Sequence, residues 1–151
     1  MNRFLQLALA FGICGSFLAP VIRAMEAPSA YAVQPVKVLR EYKGIKLGLK
    51  RADVRGALGP PESTGATSDD FKLTGEDMMT VHYDNEAVKA IQLAFFDPKN
   101  APAWKEVVGD AETTELPTGA KTARKELPEE KFWVSIYQNK EGTVVRITIS
   151  R

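Results

Sequence analysis

The chain reads VSIYQN at residues 134–139 and VVRI at residues 144–147, which is an aromatic strand, a polar turn and a β-branched strand in succession. The same order occurs earlier, with TVHYDN at residues 80–85 and VKAI at residues 88–91. Alternating apolar residues on either side of a polar turn are typical of a β-hairpin. The sequence therefore predicts two antiparallel strand pairs of similar construction.

Each hairpin pattern follows a short helical pattern that ends at a glycine. The first helix is predicted at residues 50–58 and ends in LGPP, and the second is predicted at residues 103–108 and ends at Gly109. Glycine readily adopts the left-handed conformation that ends many helices. The recurrence indicates a tandem repeat, although a coincidence of common α+β patterns would also produce it.

The predicted fold is α+β, with two tandem αβββ units that form a mostly antiparallel sheet and short helices packed on one face. The units cover about residues 44–97 and 98–151 of a single domain. A further short strand is predicted at residues 36–38, ahead of the first unit. Strand alternation places Ile91 and Ile147 on the core face, because neighbouring residues of a strand point to opposite sides.

Residues 1–32 have the anatomy of an export signal. A basic start at Arg3 precedes an apolar stretch at residues 4–22, and small residues follow. Ala30-Tyr31-Ala32 fits the small-x-small cleavage rule, and Ala24 offers an earlier site. Retention of the apolar stretch as a membrane anchor is the alternative, because its length is close to that of a spanning helix.

The only cysteine, Cys14, lies inside the predicted signal. A lipid-modified cysteine follows a small residue, whereas Cys14 follows Ile13, so we do not expect a lipoprotein. Export without lipidation predicts a periplasmic or secreted protein with no stable membrane insertion after cleavage. Its domain, at residues 33–151, has no disulfide and depends on its hydrophobic core.

The charge of the chain argues against a nucleic-acid partner. The chain has 20 Lys and Arg against 19 Asp and Glu. Removal of Arg3, Arg23 and Glu26 with the signal leaves equal numbers of each sign, mixed along the chain. Because nucleic-acid binding needs clustered cations, we expect neither nucleic acid nor an anionic membrane surface as a partner.

The first unit contains three short motifs in order, GIKLGL at residues 44–49, LGPP at residues 58–61 and YDNEAVKAI at residues 83–91. They are similar to the G-I-x-x-G-M lead, the L-G-x-P helix end and the aromatic-Asp turn before a V-x-x-I strand of the SmpA/OmlA (BamE-like) domain family, which the first unit therefore resembles. Leu49 stands at the Met of that lead. The resemblance implies an envelope protein linked to outer-membrane assembly or envelope maintenance.

A tandem arrangement of such units is also similar to the architecture of β-lactamase-inhibitory protein. In that architecture two copies form one curved sheet, and the concave face of the sheet binds a partner. This resemblance implies a protein-binding sheet face. It also implies an alternative function, the secreted inhibitor of a hydrolase.

Phe96, Trp133 and Tyr137 are the candidate partner-binding residues. By alternation they lie opposite the face that carries Ile91 and Ile147, which the helices are expected to cover. Exposed aromatic side chains on a sheet often mark protein contacts, and packing beneath loops is the alternative. We therefore expect an exported, non-catalytic module that binds an envelope protein. A structural protein that binds itself is a further alternative.

No catalytic residue, metal site or cofactor is expected. His82 is the only histidine, and the chain beyond the signal has no cysteine, so a transition-metal site lacks ligands. The acidic pairs at residues 69–70, 76–77 and 129–130 lack the spacing of a calcium loop and are interpreted as solvated turns. A small ligand-binding protein or enzyme that uses His82 and an acidic loop remains the alternative from another class.

Overall fold

A computed structural model describes residues 37–151, so the predicted signal at residues 1–32 lies outside the described residues. The described part is α+β, with a mostly antiparallel sheet of eight strands, a separate sheet of two strands and few short helices. Within this part of the chain, no helix is long and apolar enough to cross a membrane.

After a first pair of short strands, the chain forms two successive groups, and each group is a helix followed by strands. Their order and bounds are β1 (Glu41–Tyr42), β2 (Ile45–Lys46), α1 (Arg51–Leu58), β3 (Ser63–Thr64), β4 (Ser68–Lys72), β5 (Met78–Asp84), β6 (Ala87–Phe95), a 3-10 turn (Pro98–Asn100), α2 (Trp104–Val108), β7 (Thr114–Glu115), β8 (Lys121–Leu127), a second 3-10 turn (Pro128–Glu130), β9 (Phe132–Gln138) and β10 (Val145–Ser150). Each helix is thus followed by four strands rather than the three that the sequence predicts, because the two-residue strands β3 and β7 join the sheet at its edges.

The large sheet has the strand order β3-β4-β5-β6-β10-β9-β8-β7, and every neighbouring pair is antiparallel. Strands β6 and β10 therefore meet at its centre. There Ile91 lies opposite Ile149, and Leu93 lies opposite Ile147. The last strand of the chain thus joins its two halves through a continuous backbone ladder.

One face of the sheet carries the hydrophobic core. Ile91 and Ile147 are fully buried, as strand alternation predicts. Helix α1 contributes Val54 to the same core cluster, and helix α2 contributes Val107 and Val108. Full burial of a side chain of this size contributes roughly 1.5–3 kcal/mol, so the helices are held mainly by the sheet that they cover.

Both helices end at the predicted glycines. Gly59 has φ +85° and donates its N–H to the carbonyl of Arg55 at 2.9 Å. Gly109 has φ +63° and donates to the carbonyl of Lys105 at 3.1 Å. A glycine with positive φ at this position satisfies a helix carbonyl and turns the chain away from the helix axis. Each helix begins one residue later than predicted.

The segment before α1 differs from the prediction. The described residues of the predicted strand, Lys37 and Val38, belong to no strand; Val38 is buried, and Leu39 donates its N–H to the carbonyl of Val107 at 3.0 Å. The chain then forms the β1–β2 hairpin around Lys43 and Gly44, both with positive φ. The backbone of this segment therefore bonds to α2, to itself and, at Gly48 and Leu49, to Val88 of β6, without adding a strand to the large sheet.

Two glycines permit a matched test of this backbone geometry. We expect Gly44→Ala to lower the free energy of unfolding by about 1–2 kcal/mol, because its φ of +79° is unfavourable for a residue with a Cβ. Gly56→Ala should raise it by about 0.5–1 kcal/mol, because Gly56 lies inside α1 with open space around it. Urea denaturation measures both changes in the free energy of unfolding. If the two variants changed it by the same amount in the same direction, the difference in backbone conformation between these glycines would be contradicted.

Candidate functional site

The face opposite the core, here called the open face, consists of outward side chains from the six strands between β3 and β7. Strand register aligns these side chains in three rows. The central row is Asp70, Thr80, Gln92, Thr148, Ser135 and Arg124. The Trp133 row is Ser68, His82, Ala90, Ser150, Trp133 and Glu126. The Tyr137 row is Lys72, Met78, Ala94, Arg146, Tyr137 and Thr122.

The open face is accessible and mainly polar. Of the residues in its three rows, only Ser150 is buried, and the others are half-buried or exposed. Small side chains such as Ala90 and Ala94 line its middle, and the aromatic residues lie toward β9. A surface of this composition, with a few aromatic residues among polar ones, resembles protein-binding surfaces more than a folding core.

Trp133 is half-buried on the open face, where it lies beneath an arginine. The guanidinium carbon of Arg124 lies 4.0 Å from the centre of the indole ring. Arg124 also donates from Nε to Oε1 of Glu126 at 2.7 Å, and Glu126 is the cross-strand neighbour of Trp133. The stacked guanidinium covers one face of the indole by a cation–π contact, so Trp133 is held in one orientation and keeps part of its surface accessible.

Tyr137 is also half-buried and lies on the same strand and face as Trp133. Its cross-strand neighbours are Thr122 on β8 and Arg146 on β10. Trp133 and Tyr137 are four positions apart, which is about 13 Å along a strand. The two aromatic side chains therefore flank Ser135 of the central row without stacking on each other.

Phe96 lies just past the end of β6 and is 51% exposed, the one large hydrophobic residue so exposed among residues 37–151. Its N–H donates to Oδ1 of Asp77 at 2.7 Å, which fixes the backbone there. The intervening strand β10 separates it from Tyr137 by about 10 Å or more. The structure thus places Trp133 and Tyr137 on the open face, but it does not bring Phe96 into a cluster with them.

His82 lies in the Trp133 row between Ser68 and Ala90. It is half-buried, and its buried Nε2 atom has no hydrogen-bond partner among the described residues. A depression of about 510 Å³ beside it is bordered by Asp84 and Lys89. A histidine that acts as a general base is usually oriented by a hydrogen bond to a carboxylate. Within the described part of the chain, no carboxylate makes such a hydrogen bond to His82.

The most buried charged group is Asp69, on the core face of β4. Arg51 donates to it from Nε and Nη2 at 3.1 and 2.6 Å, and Arg55 donates from the same two atoms at 2.8 and 2.9 Å. Tyr83 donates its hydroxyl at 3.2 Å, and the guanidinium of Arg51 lies 4.8 Å from the Tyr83 ring. This cluster, here called the Asp69 cluster, joins helix α1 to strands β4 and β5.

The Asp69 cluster perturbs the acidity of its members. Hydrogen bonds from Arg55 and then Arg51 hold the pKa of the Asp69 carboxyl well below its usual range, against the opposing effect of burial. Burial, reinforced by the nearby Asp69 charge, raises the pKa of the Tyr83 hydroxyl. Asp69 is therefore ionised and Tyr83 neutral at physiological pH. The interpretation of the 69–70 pair as a solvated turn is wrong for Asp69, which is fully buried.

The lowered pKa of Asp69 predicts that the free energy of unfolding depends on pH at low pH. Because the pKa is lower in the folded than in the unfolded chain, the stabilisation is present above the ordinary pKa of an aspartate and is lost as pH falls below it. We expect the difference in free energy of unfolding between the native chain and Asp69→Asn to shrink as pH falls from about 6 to about 2. Urea denaturation across that pH range measures this difference in free energy of unfolding. A difference that stayed constant with pH would contradict the prediction.

Asp77 is the second acidic residue for which the solvated-turn interpretation is wrong. It is 1% exposed and accepts hydrogen bonds from the N–H groups of Phe96 and Asp97 and from the Asn100 side chain at 2.7, 3.3 and 2.8 Å. It therefore ties the β4–β5 loop to the chain after β6. A structural role of this kind explains its burial without a ligand.

The described residues contain no group of three or more His, Cys, Asp or Glu side chains placed to hold a metal ion. Comparisons with protein-family models, with curated proteins and with solved structures find no match for this chain.

Proposed function

We propose that this protein is an exported, non-catalytic protein-binding module of the bacterial cell envelope, and that the open face contacts its partner. The proposal rests on one observation above the others. Trp133 and Tyr137 are held on an accessible sheet face, opposite the core that the helices share. Aromatic side chains and arginines are the residue types that contribute most to protein–protein affinity.

Polar surroundings also favour this function. Trp133 lies under Arg124, and Tyr137 lies beside Arg146, so each aromatic residue has a neighbouring hydrogen-bond donor. The central row between them is polar throughout. A surface that mixes rigid aromatic groups with exposed polar groups suits a partner that the protein binds and releases more than a permanent, apolar contact.

We also propose that the domain consists of two tandem units. The sequence alignment equates Ile91 with Ile147 and Leu93 with Ile149. If each residue of the cross-strand pair Ile91–Ile149 is replaced by its equivalent in the other unit, the result is the pair Ile147–Leu93. That pair is also present at the centre of the sheet. The register at the junction of β6 and β10 is therefore the one that a two-fold relation between the units requires.

The envelope location in this proposal rests on the sequence of residues 1–32 and on the SmpA/OmlA resemblance. An export signal without a lipidation site favours the periplasm or the medium. The family resemblance favours outer-membrane assembly or envelope maintenance as the process. A partner with hydrolase activity would favour the inhibitor function instead.

The test is affinity capture from an envelope extract with quantitative mass spectrometry. We expect Trp133→Ala and Tyr137→Ala each to reduce recovery of the specific partner about tenfold or more, because truncating a central aromatic anchor of an interface commonly costs about 2 kcal/mol or more. Circular dichroism should show that both variants remain folded.

Trp104→Ala is the matched control, because Trp104 lies on α2 and packs against the core. It should lower stability while leaving partner recovery per folded molecule unchanged. Unfolding of both Trp133→Ala and Tyr137→Ala would assign these side chains to the folding core and refute the proposal, and so would undiminished recovery by both folded variants.

A further inference from the structure

The exposed cations of the open face differ in whether they have acidic partners. Arg124 is paired with Glu126. Lys72 and Arg146, both in the Tyr137 row, are exposed and form no ion pair within residues 37–151. Asp70, the nearest acid along β4 to Lys72, accepts instead from the hydroxyls of Ser63 and Thr80 at 2.6 and 2.7 Å. Two positive charges in the Tyr137 row are therefore uncompensated.

Arg146 occupies the middle of the sheet, on β10 next to β6. Its cross-strand neighbour Ala94 is small, and a depression of about 280 Å³ opens beside it. Met78 and Ala94 give one part of that depression an apolar lining, and Gln92 and Thr148 give another part hydrogen-bonding groups. A planar guanidinium beside a depression of this kind can receive a carboxylate by two parallel hydrogen bonds.

We infer that the partner inserts an acidic side chain, aspartate or glutamate, into the depression beside Arg146. This inference rests on the proposed function and specifies the chemistry of the partner. Lys72 lies three strands away in the same row, about 14 Å across the sheet. A partner segment laid across the strands could therefore bring a second acid to Lys72, while Tyr137 flanks Arg146 on the other side.

The arrangement favours an acidic protein segment over a polyanion or a free anion. Binding of a polyanion depends on many clustered cations, whereas the two uncompensated cations of the Tyr137 row lie about 14 Å apart. A free small anion would use Arg146 alone and would leave Tyr137 and Trp133 without a role. A protein segment uses the charge for orientation and the aromatic side chains for affinity.

The experiment places a photoreactive amino acid at Gln92, in the depression, or at Lys105, an exposed position on α2 for control. The full chain is produced in its own cells and irradiated there, and cross-linked peptides are sequenced by mass spectrometry. We expect the Gln92 position to cross-link to a peptide that contains Asp or Glu, and the Lys105 position not to do so. Adding Arg146→Glu should reduce that cross-link about tenfold or more, because it places like charges together, whereas Arg146→Lys should reduce it less.

Each of the other outcomes refutes one specific claim of the inference or of the proposed function. A Gln92 cross-link to a protein that persists in Arg146→Glu refutes the acidic contact and leaves the binding module standing. A cross-link to polysaccharide or nucleic acid instead of protein refutes the protein source of the anion. No protein cross-link at Gln92 refutes the proposed function itself. Exchange of the mapped partner acid for lysine should restore the cross-link in Arg146→Glu.

Discussion

Replacement of Asp69 by alanine is expected to lower the free energy of unfolding by about 3–5 kcal/mol, the cost of removing one partner of a buried ion pair. Arg51 would lose the carboxylate that it contacts at 2.6 Å, although it would keep its hydrogen bonds to the backbone carbonyls of Gly65, Ala66 and Ser68. Two guanidinium groups would then lie close together beneath helix α1, and the remaining nearby counter-charge would be the exposed carboxylate of Glu86, 3.7 Å from Arg51. Urea denaturation followed by circular dichroism measures the change.

Asp70→Ala is the control for that experiment, because it makes the same chemical change at the next residue. Asp70 points to the open face and is half-buried, so we expect a loss of about 1 kcal/mol from its two hydrogen bonds. If the two variants lost equal stability, the Asp69 cluster would not hold α1 to the sheet.

Ile147→Ala should lower the free energy of unfolding by about 2–5 kcal/mol, the range for truncating a large aliphatic side chain in a core. Ile147 is fully buried on β10 and lies opposite both Leu93 of β6 and Ile136 of β9. A cavity there would weaken the packing of both halves of the sheet at once. We therefore expect one cooperative thermal transition at a lower temperature, measured by calorimetry.

Arg146→Ala is the control at the neighbouring residue, whose side chain points to the open face. Because it is exposed and unpaired within the described residues, the change in free energy of unfolding should stay within about 0.5 kcal/mol. Two separate transitions in Ile147→Ala would contradict the expectation, since they would show that the halves unfold independently.

Most of the long strands could be predicted from the sequence because their alternation is strong. The sequence predicts strands at residues 121–127 and 132–138, and these are the bounds of β8 and β9. The strands predicted at residues 78–83 and 144–150 differ from β5 and β10 by one residue at one end, and the strand predicted at residues 88–96 differs from β6 by one residue at both ends. In β5, β6, β9 and β10 local pattern and burial agree, so one face of the strand is apolar and the other polar. In β8 the pattern is weaker, and Ala123 is its one buried residue.

Short elements and buried charges could not be predicted in the same way. Strand pairs of two residues, such as β1–β2, show no periodicity, and their pairing depends on the turn at Lys43 and Gly44. Asp69 is charged, yet it lies on the core face because two arginines from α1 reach it. The spacing of Arg51 and Arg55, one helical turn apart on the face that carries Val54, was the available signal.

The open face could be predicted in part. Alternation places Trp133 and Tyr137 on it, but Phe96 lies past the end of β6, where alternation no longer determines direction. The uncompensated charge of Arg146 depends on which residues neighbour it across the sheet. That information lies in the strand order, which brings the last strand of the chain between β6 and β9.

The two edges of the sheet bear on how this chain behaves when it is concentrated or newly exported. Long free strand edges invite other chains to add to the sheet and so promote aggregation. Here each edge ends in a strand of only two residues. Beyond β7, the uncovered part of β8 carries Arg124 and Glu126, and its half-buried Lys125 binds Asp110 at 2.8 Å. Charges at such an edge oppose the stacking of further strands, so the protein can present a broad sheet face to a partner while discouraging fibril growth.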